Sequence, residues 1–441
     1  MGKINVTSKL RSISPDIEEC FFRSYDKNGV LHETRVLSRE CDYACGSFTR
    51  TSSDKGKTWT EWVKQFDDDE DGRHLSSKDD GNPDEYGGGG ATPYLYHPAS
   101  GCWFGVSASC YYINGHDKGY FDYWEKGEDN VRFHGYYAIK YPDGRVVNKM
   151  FELEEGGCDY DPENPRNPDF LDKNRVAAGN LHILPDGDLC FFLEPTVRLC
   201  CKMAGVDVNT YYPSSPDFSN GLVVVRAHWD EAKGDYDFIY SNPIMLSDVQ
   251  SSRCVMESHM TILPNGRWLI VTRGSNMTLD CWNTRISPAA PGFKWYTFSD
   301  DGGRTFAPLM PWHFDTREVV YSAASIHAFY RSKQNGKLYW IGNIIEDPSS
   351  IDGNNPRFPL IICQVDEEYG YLLKDTFTVI DTVRDGQTSV ELSNFNLLED
   401  PDTGTLEMRL TKTNFNGKVQ EEGYWYTEAW EYYIDFPVDE K

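Results

Sequence analysis

One pattern recurs six times along the 441 residues: an apolar strand, a turn that contains glycine, and a second apolar strand. The fourth copy, "ESHMTILPNGRWLIVTRGS", has Asn265 and Gly266 in its turn. Turn pairs such as Asn-Gly and Asp-Gly supply the positive φ that a tight hairpin needs. The six predicted hairpins are Glu19–Ser38, Ala91–Ser109, Gly179–Pro195, Glu257–Ser275, Ser325–Asn343 and Ser393–Thr411.

The copies follow one another at intervals of roughly 67 to 86 residues, which suits four strands and their loops. The spacing predicts an all-β fold, a six-bladed β-propeller with four-stranded antiparallel blades, as a single domain over residues 1–441. We expect "GYWYTEAWEYYIDF" near the C-terminus to supply a last strand that helps to close the ring, and loop insertions at about 66–90 and 110–174. Two stacked β-sandwiches are the alternative, and they explain the even spacing less well.

The charge balance excludes several partners. Asp and Glu total 69 against 43 Lys and Arg, which gives a formal net charge of −26. Such a surface repels phosphate backbones and anionic lipid, so we expect neither nucleic acid nor membrane binding. No apolar run approaches a membrane span, and the first residues lack the apolar core of a secretory signal, so a cytoplasmic location is expected.

Twelve cysteines are scattered through strand-like sequence, including the neighbours Cys200 and Cys201. No CxxC pair occurs, so the sequence predicts no metal site and no cofactor. Buried free thiols in a reducing compartment are the expected state of most of these cysteines.

Two octapeptides share the pattern Ser-x-Asp-x-Gly-x-Thr-aromatic: "SSDKGKTW" at Ser52–Trp59 and "SDDGGRTF" at Ser299–Phe306. Their Asp and Ser side chains can accept hydrogen bonds from turn N–H groups. Both octapeptides resemble the Asp boxes of sialidases and other propeller glycosidases. The resemblance implies that Asp54 and Asp301 are structural and lie between the outer strands of a blade.

The segment "ESHMTILPNGRWLIVTR" is similar to a fourth-blade segment of sialidase-like propellers. The resemblance implies that Glu257 assists a catalytic tyrosine and that Arg273 binds the substrate carboxylate. It also implies Tyr321, in "VVYSAAS", as that tyrosine and Asp42, in the loop before the first octapeptide, as the acid. Arg11 is the arginine that precedes the first hairpin. The implied function is an exo-acting glycoside hydrolase that removes a terminal acidic or decorated sugar from a glycan or oligosaccharide.

Polar residues near the starts of the hairpins add binding candidates. Strand alternation places Glu257 and His259 on one side, and three histidines recur near the starts of the third, fourth and fifth hairpins: His182, His259 and His327. These histidines either grip sugar hydroxyls and supply a base, or pack between blades. Arginines could form the basic pocket that an anionic carbohydrate requires inside an acidic shell, or lie on the surface: Arg175, Arg253, Arg273 and Arg317.

Two other functions stay open at this point. A propeller polysaccharide lyase or rhamnosidase-type enzyme would use His259, His182 and Tyr321 against a uronate. A non-catalytic propeller would bind a glycan without turnover.

Overall fold

The computed structural model describes most of the chain in thirteen ranges. These are residues 3–15, 17–26, 28–40, 43–67, 91–112, 131–151, 153, 176–214, 216–217, 219–277, 291–384, 390–414 and 427–438. The chain divides into two compact units. Unit 1 consists of Met1–Ser76 with Trp312–Lys441, and unit 2 is Ser77–Pro311. Most of both expected loop insertions lies outside the described residues, so the single domain with two insertions stays a prediction.

Unit 1 holds three sheets. Sheet 1 contains β2 (Glu18–Tyr25), β3 (Leu31–Glu40), β4 (Tyr43–Ser52) and β5 (Val63–Asp67). Sheet 5 contains β18 (Ala328–Arg331), β19 (Leu338–Asn343), β20 (Leu360–Gln364) and β21 (Thr378–Asp381). Sheet 6 contains β22 (Val390–Glu391), β23 (Asn396–Glu399), β24 (Leu406–Asn414), β25 (Thr427–Asp435) and β1 (Asn5–Ser14).

Unit 2 holds the other three sheets. Sheet 2 contains β6 (Leu95–His97), β7 (Cys102–Tyr112), β8 (Val131–Lys140) and β9 (Val146–Met150). Sheet 3 contains β10 (Val176–Ile183), β11 (Leu189–Pro195), β12 (Val223–Asp230) and β13 (Asp235–Tyr240). Sheet 4 contains β14 (Met256–Ile262), β15 (Trp268–Arg273), β16 (Lys294–Ser299) and β17 (Met310–Pro311).

These sheets are the six four-stranded antiparallel blades of a β-propeller, so the predicted fold class is confirmed and stacked sandwiches are excluded. Each predicted hairpin becomes the first two strands of a blade, as β14 and β15 show with the pair Ile262 and Trp268 across their turn. In sheet 6, β22 and β23 both pair with β24 and share the first position. The six hairpins that the turn residues indicated in the sequence therefore correspond to the six blades of the structure.

The two ends of the described chain meet in sheet 6. Strand β25 arises from the aromatic C-terminal segment, as expected, and pairs with β24 on one side. On its other side β25 pairs with β1, from Asn5 opposite Asp435 to Ser14 opposite Thr427. The first strand of the chain thus completes the last blade, which hydrogen-bonds the N-terminal segment to the C-terminal one.

Regular helix is scarce in the described chain. Helix α1 (Val197–Ala204) follows β11; its N-cap Thr196 accepts from the Leu199 amide, and it ends at the left-handed Gly205. The four-residue α2 (Val208–Tyr211) is followed later by 3-10 turns at Pro348–Ser350 and Lys374–Thr376. No helix among the described residues is long and apolar enough to cross a membrane.

The hydrophobic core lies between neighbouring sheets. In unit 2, Phe104 of sheet 2 and Phe191 of sheet 3 are fully buried in one cluster, and Ile270 of sheet 4 lies in the next. In unit 1, Ile362 of sheet 5 and Met408 of sheet 6 share a cluster. Alternate residues of a central strand face opposite neighbours, and the second strands of sheets 3, 4 and 5, which are β11, β15 and β19, are buried on both sides.

The two octapeptides form the same turn in sheets 1 and 4. In the second, Ser299 Oγ lies 2.8 Å from Asp301 Oδ1, and Asp301 accepts from both the Thr305 amide at 2.9 Å and the Thr305 hydroxyl at 2.6 Å. Asp54 makes the equivalent bonds to Thr58 in the first. These bonds stay inside each turn, between the third and fourth strands of a sheet, which fits the structural role expected of both aspartates.

A buried carboxylate ties sheet 1 to sheet 6. Glu33 of β3 is fully buried and accepts from Arg11 at 2.6 and 2.9 Å, from Arg23 at 2.6 Å and from Arg50 at 2.8 Å. Glu431 of β25 lies 3.1 Å from Arg23 and 3.3 Å from Arg11. We call these five residues the Glu33 network. Within it Arg11 forms a bidentate pair with a protein carboxylate.

Eight cysteines of the described chain are free thiols, and all except Cys20 are buried. Burial raises the pKa of Cys190 and of Cys254 to about 12. These thiols are protonated at neutral pH and behave as small apolar side chains, as the sequence indicated.

Candidate functional site

Three side chains meet where β11, β14 and β15 of unit 2 come together. Arg273 ends β15 with only a few per cent of its surface exposed, and its Nη1 lies 2.7 Å from Oε2 of Glu257 in β14. Glu194 lies near the end of β11, is partly exposed, and accepts a hydrogen bond from the backbone N–H of Glu257. We call Glu194, Glu257 and Arg273 the carboxylate cluster.

The backbone at Glu257 is unusual. Its φ is 47°, in the left-handed region, and the pairing of β14 with β15 shifts register between Met256 and His259. A residue other than glycine in that region costs about 1–2 kcal/mol, which surrounding structure must offset. The bulge interrupts the strict alternation that was expected to relate Glu257 to His259.

The neighbouring blade fixes this bulge. Asn180 of β10 also has a positive φ, 55°, and its Nδ2 donates to the carbonyl of Ser258 at 2.9 Å. Ser258 follows Glu257 directly and is fully buried, with its hydroxyl 2.9 Å from that of Thr272. The side chain of Glu257 is therefore held by a backbone that is bonded to both its own sheet and sheet 3.

Glu194 has a perturbed acidity. Burial raises its pKa most, and the negative charge of Glu257 raises it further; the charge of Arg273 and the amide of Glu257 act against them, and the result is a pKa of about 7. Glu194 can therefore hold or release a proton near neutral pH, beside a glutamate that pairs with Arg273. Two carboxyl groups with different protonation states are what acid–base chemistry on a sugar requires.

A histidine near the cluster is uncharged at neutral pH. Burial lowers the pKa of His259 to about 4, with further lowering by the positive charges of His182 and Lys294. His182 is exposed, whereas Lys294 is fully buried and pairs in register with Arg273 across sheet 4. His259 thus offers a neutral imidazole as a hydrogen-bond donor and acceptor.

Arg253 also belongs to unit 2. It is buried and stands three residues before the start of β14, next to Cys254, which has a positive φ of 53°. The tight turn at Cys254 leads directly into the bulged strand. Arg253 thus lies on the segment that leads into the carboxylate cluster.

Three of the predicted site residues that the structure describes belong to unit 1. Tyr321 is partly buried against Ala323, Ile345 and Ile351, and its carbonyl accepts from the Ile345 amide at 2.8 Å. Arg317 is exposed in a turn with φ of 73°. His327 is fully buried beside Trp340, with ring centroids 5.8 Å apart. Asp42 and Arg175 lie outside the described residues.

The structure also places in unit 1 an ion pair that the sequence did not indicate. Arg357 binds Glu391 of β22 through Nη1. Asn343, buried at the end of β19, donates through Nδ2 to the carbonyls of Arg357 at 3.0 Å and Leu392 at 3.1 Å. The Asn343 side chain therefore holds the two segments that carry this ion pair.

A count from the turn glycine could have found Glu194. Glu194, Arg273 and Asn343 each lie seven positions after the glycine of their hairpin turn, at Gly187, Gly266 and Gly336. The three positions are equivalent in sheets 3, 4 and 5, at the sixth residue of the second strand. A polar residue at this position, after five apolar or small ones, is the signal.

The described residues contain no group of three or more His, Cys, Asp or Glu side chains placed to hold a metal ion. What the carboxylate cluster provides is one guanidinium and two carboxyl groups, one of which titrates near neutrality. That set can bind an anionic or hydroxyl-rich ligand and move a proton.

No protein-family model and no curated protein matches the chain. Among solved structures, a protein of unknown function from Dyadobacter fermentans is similar over 99% of this chain and 100% of its own, with a TM-score of 0.52 and 12% identity. A mutant NanB sialidase from Streptococcus pneumoniae is similar over 97% of this chain and 70% of its own, with a TM-score of 0.51 and 11% identity. At these identities the likeness shows a shared β-propeller fold.

Proposed function

We propose that the protein is an exo-acting glycoside hydrolase that removes a terminal acidic or decorated sugar from a glycan or oligosaccharide. The observation that carries the proposal is the ion pair of Arg273 with Glu257, with the Glu194 carboxyl beside it. Hydrolysis of a glycosidic bond needs two groups that act as acid and as base or nucleophile. The fold that the chain shares with NanB sialidase is consistent with this chemistry.

In this proposal Tyr321 is the nucleophile, Glu257 takes its proton, and Asp42 protonates the leaving group. A neutral tyrosine suits an anionic substrate, because a carboxylate nucleophile would be repelled by the carboxylate of the sugar. Arginines and histidines bind the substrate: Arg175, Arg253, Arg273, Arg317, His182, His259 and His327. A substrate carboxylate would share Arg273 with Glu257, which limits how strongly it is held.

The test is a release assay on a panel of sialosides, uronosides and rhamnosides, with products identified by mass. We expect one class to lose its terminal sugar, and Glu257→Gln to lower that rate by about 100-fold or more. Glu231→Gln is the matched control, because Glu231 is exposed and accepts a hydrogen bond from the indole N–H of Trp229 at 3.0 Å, away from the carboxylate cluster. Near-normal turnover by Glu257→Gln, at unchanged thermal stability, would contradict the role of Glu257.

A polysaccharide lyase is the second candidate, and the neutral His259 favours it. An imidazole that is unprotonated at neutral pH can take the proton next to the carboxylate of a uronate, after which the glycosidic C–O bond breaks by elimination. An unsaturated uronate absorbs ultraviolet light, whereas a hydrolysis product does not. Rising absorbance during release, abolished by His259→Gln, would replace the hydrolase with the lyase. Binding of a glycan without release of any product would instead indicate a non-catalytic propeller.

A further inference from the structure

We propose that Glu194, rather than Asp42, donates the proton to the leaving group at the carboxylate cluster, and that the substrate is an O-glycoside whose leaving oxygen needs that proton. The inference rests on the proposed glycosidase function and changes the identity of its acid. Glu194 lies in β11, and the reaction partner Glu257 lies in β14 of the adjacent sheet.

Glu194 occupies in sheet 3 the position that Arg273 occupies in sheet 4. Both are the sixth residue of a second strand, so both side chains arise from the same level of adjacent blades. The amide of Glu257 donates to the Glu194 carboxyl, which keeps it next to the base. The positive φ of Glu257 turns that amide out of the regular ladder with β15, since the register is broken there.

The charged groups around Glu194 favour the protonated form of its carboxyl group. One guanidinium, Arg273, faces two carboxyl groups, and it lies 2.7 Å from Glu257. Within the described part of the chain, Glu257 and Arg273 are the charged groups that act on Glu194. The described residues of the strands beside β11 bring no other charged group to its level: β10 pairs Ala177 with Glu194, and β12 begins at Val223, opposite Leu193. Arg198 of α1 is bonded at 2.7 Å to Asp217 instead.

Because the guanidinium of Arg273 already pairs with Glu257, a negative charge on Glu194 would be poorly compensated, and Glu194 favours its protonated form. The resulting pKa of about 7 for Glu194 lies in the range of a general acid that works near neutrality. Glu194 is also partly exposed, so a ligand can reach it.

The proposed step balances over one hydrolysis cycle. The bond between the anomeric carbon and the leaving oxygen breaks, its electron pair stays on that oxygen, and the Glu194 proton completes the alcohol product. Water then bonds to the anomeric carbon through oxygen, and its spare proton returns to the Glu194 carboxylate. No oxidant, metal or further co-reactant is consumed.

Leaving-group dependence distinguishes the two candidate acids. Loss of the true acid slows glycosides of simple alcohols by about 100-fold or more, and spares glycosides of nitrophenols, which leave without protonation. We expect this pattern for Glu194→Gln, together with loss of the alkaline limb of the pH–rate profile. We expect Asp42→Asn to slow both substrates equally or not at all. If Asp42→Asn slowed only the glycosides of simple alcohols, and Glu194→Gln slowed both substrates equally or not at all, the proposal would be overturned.

A titration without substrate separates this proposal from the hydrolase itself. The protonated carboxyl band in the infrared spectrum at about pH 6 should be weaker in Glu194→Gln than in the wild type, and unchanged in the exposed control Glu231→Gln. If the wild type releases sugar but Glu194 is already ionised at that pH, only the assignment of Glu194 fails. If the wild type releases no sugar from any glycoside, both proposals fail.

Discussion

Arg11 of β1 lies with Nη1 2.6 Å from Oε1 of Glu33 and Nη2 2.9 Å from Oε2, a bidentate pair that joins the last blade to the first. Glu33 is fully buried, and Arg23 and Arg50 also donate to it. A fork-shaped guanidinium matches a carboxylate with two parallel bonds, which fixes orientation as well as charge. The pair stabilises the end-to-end closure made by β1 and β25.

We expect Glu33→Gln to destabilise the fold strongly. The glutamine has the same shape, but it removes the buried charge that Arg11, Arg23 and Arg50 share and leaves Glu431 to pair with two of them, which costs about 3–5 kcal/mol. Denaturant unfolding should show the loss directly. The control is Glu318→Gln, because Glu318 and its partner Lys374 are largely exposed and such pairs contribute at most about 1 kcal/mol. Equal losses in the two variants would show that Glu33 has no special part in closure.

The Glu33 network also predicts how stability depends on pH. Burial alone raises the pKa of Glu33, but the hydrogen bond from Arg11 and the charges of Arg23 and Arg11 outweigh it, so the pKa is about 2 instead of 4.5. Because the folded value is the lower one, this stabilisation is complete above about pH 4.5 and is lost as pH falls towards 2. The stability difference between wild type and Glu33→Gln should shrink over that window. A constant difference would contradict the assignment.

Alanine substitutions at Gly303 and Gly266 distinguish the free-energy cost of backbone strain from the cost of overpacking. Their φ angles are 83° and 84°, but a Cβ on Gly303 would lie 2.4 Å from Trp268, whereas a Cβ on Gly266 would meet no described atom within 4 Å beyond its chain neighbours. Gly266→Ala should cost about 1–2 kcal/mol through its backbone conformation. Gly303→Ala should lose that amount and about 1–3 kcal/mol more through overpacking. Thermal unfolding of the two variants tests the difference, and equal melting temperatures would refute it.

We expect the side-chain amide nitrogen of Asn343 to contribute to the free energy of unfolding. Asn343→Asp keeps the shape but removes the donor to the carbonyls of Arg357, Pro359 and Leu392, and a loss of about 1–3 kcal/mol is expected. The control is Asn265→Asp, since Oδ1 of Asn265 accepts from the Arg267 amide and an aspartate can do the same. Unfolding in urea compares them. Similar stabilities would mean that the three carbonyls find other donors.

Much of the fold was predictable because its unit is local. A hairpin depends on a turn such as that of Asn265 and Gly266 and on apolar alternation, both of which lie within about twenty residues. The two octapeptides are equally local, since Asp301 accepts from the amide and the hydroxyl of Thr305, four residues away. Turn chemistry and strand pattern therefore gave the blade count before any long-range contact was known.

The candidate site was predictable only in part. Glu257 and Arg273 stand in one hairpin, and their side chains do meet at 2.7 Å. The sequence did not indicate Glu194 as a site residue because its partner Glu257 lies in another blade. Strand periodicity does not predict contacts between sheets. The alternation expected of a regular strand is also interrupted at Glu257, because the bulge that Asn180 supports shifts the register there.

The sequence by itself determined six hairpins, two identical turns and the apolar strands that pack between sheets, because hydrophobic patterning and turn conformation act over short stretches. Only the tertiary structure decided which charges meet. The pKa of Glu194 follows first from burial and then from a glutamate and an arginine more than sixty residues away, and Arg11 is bonded to Glu33 through pairing of the two chain ends. Electrostatic energy depends on distance and burial, and both are fixed only when distant strands have packed.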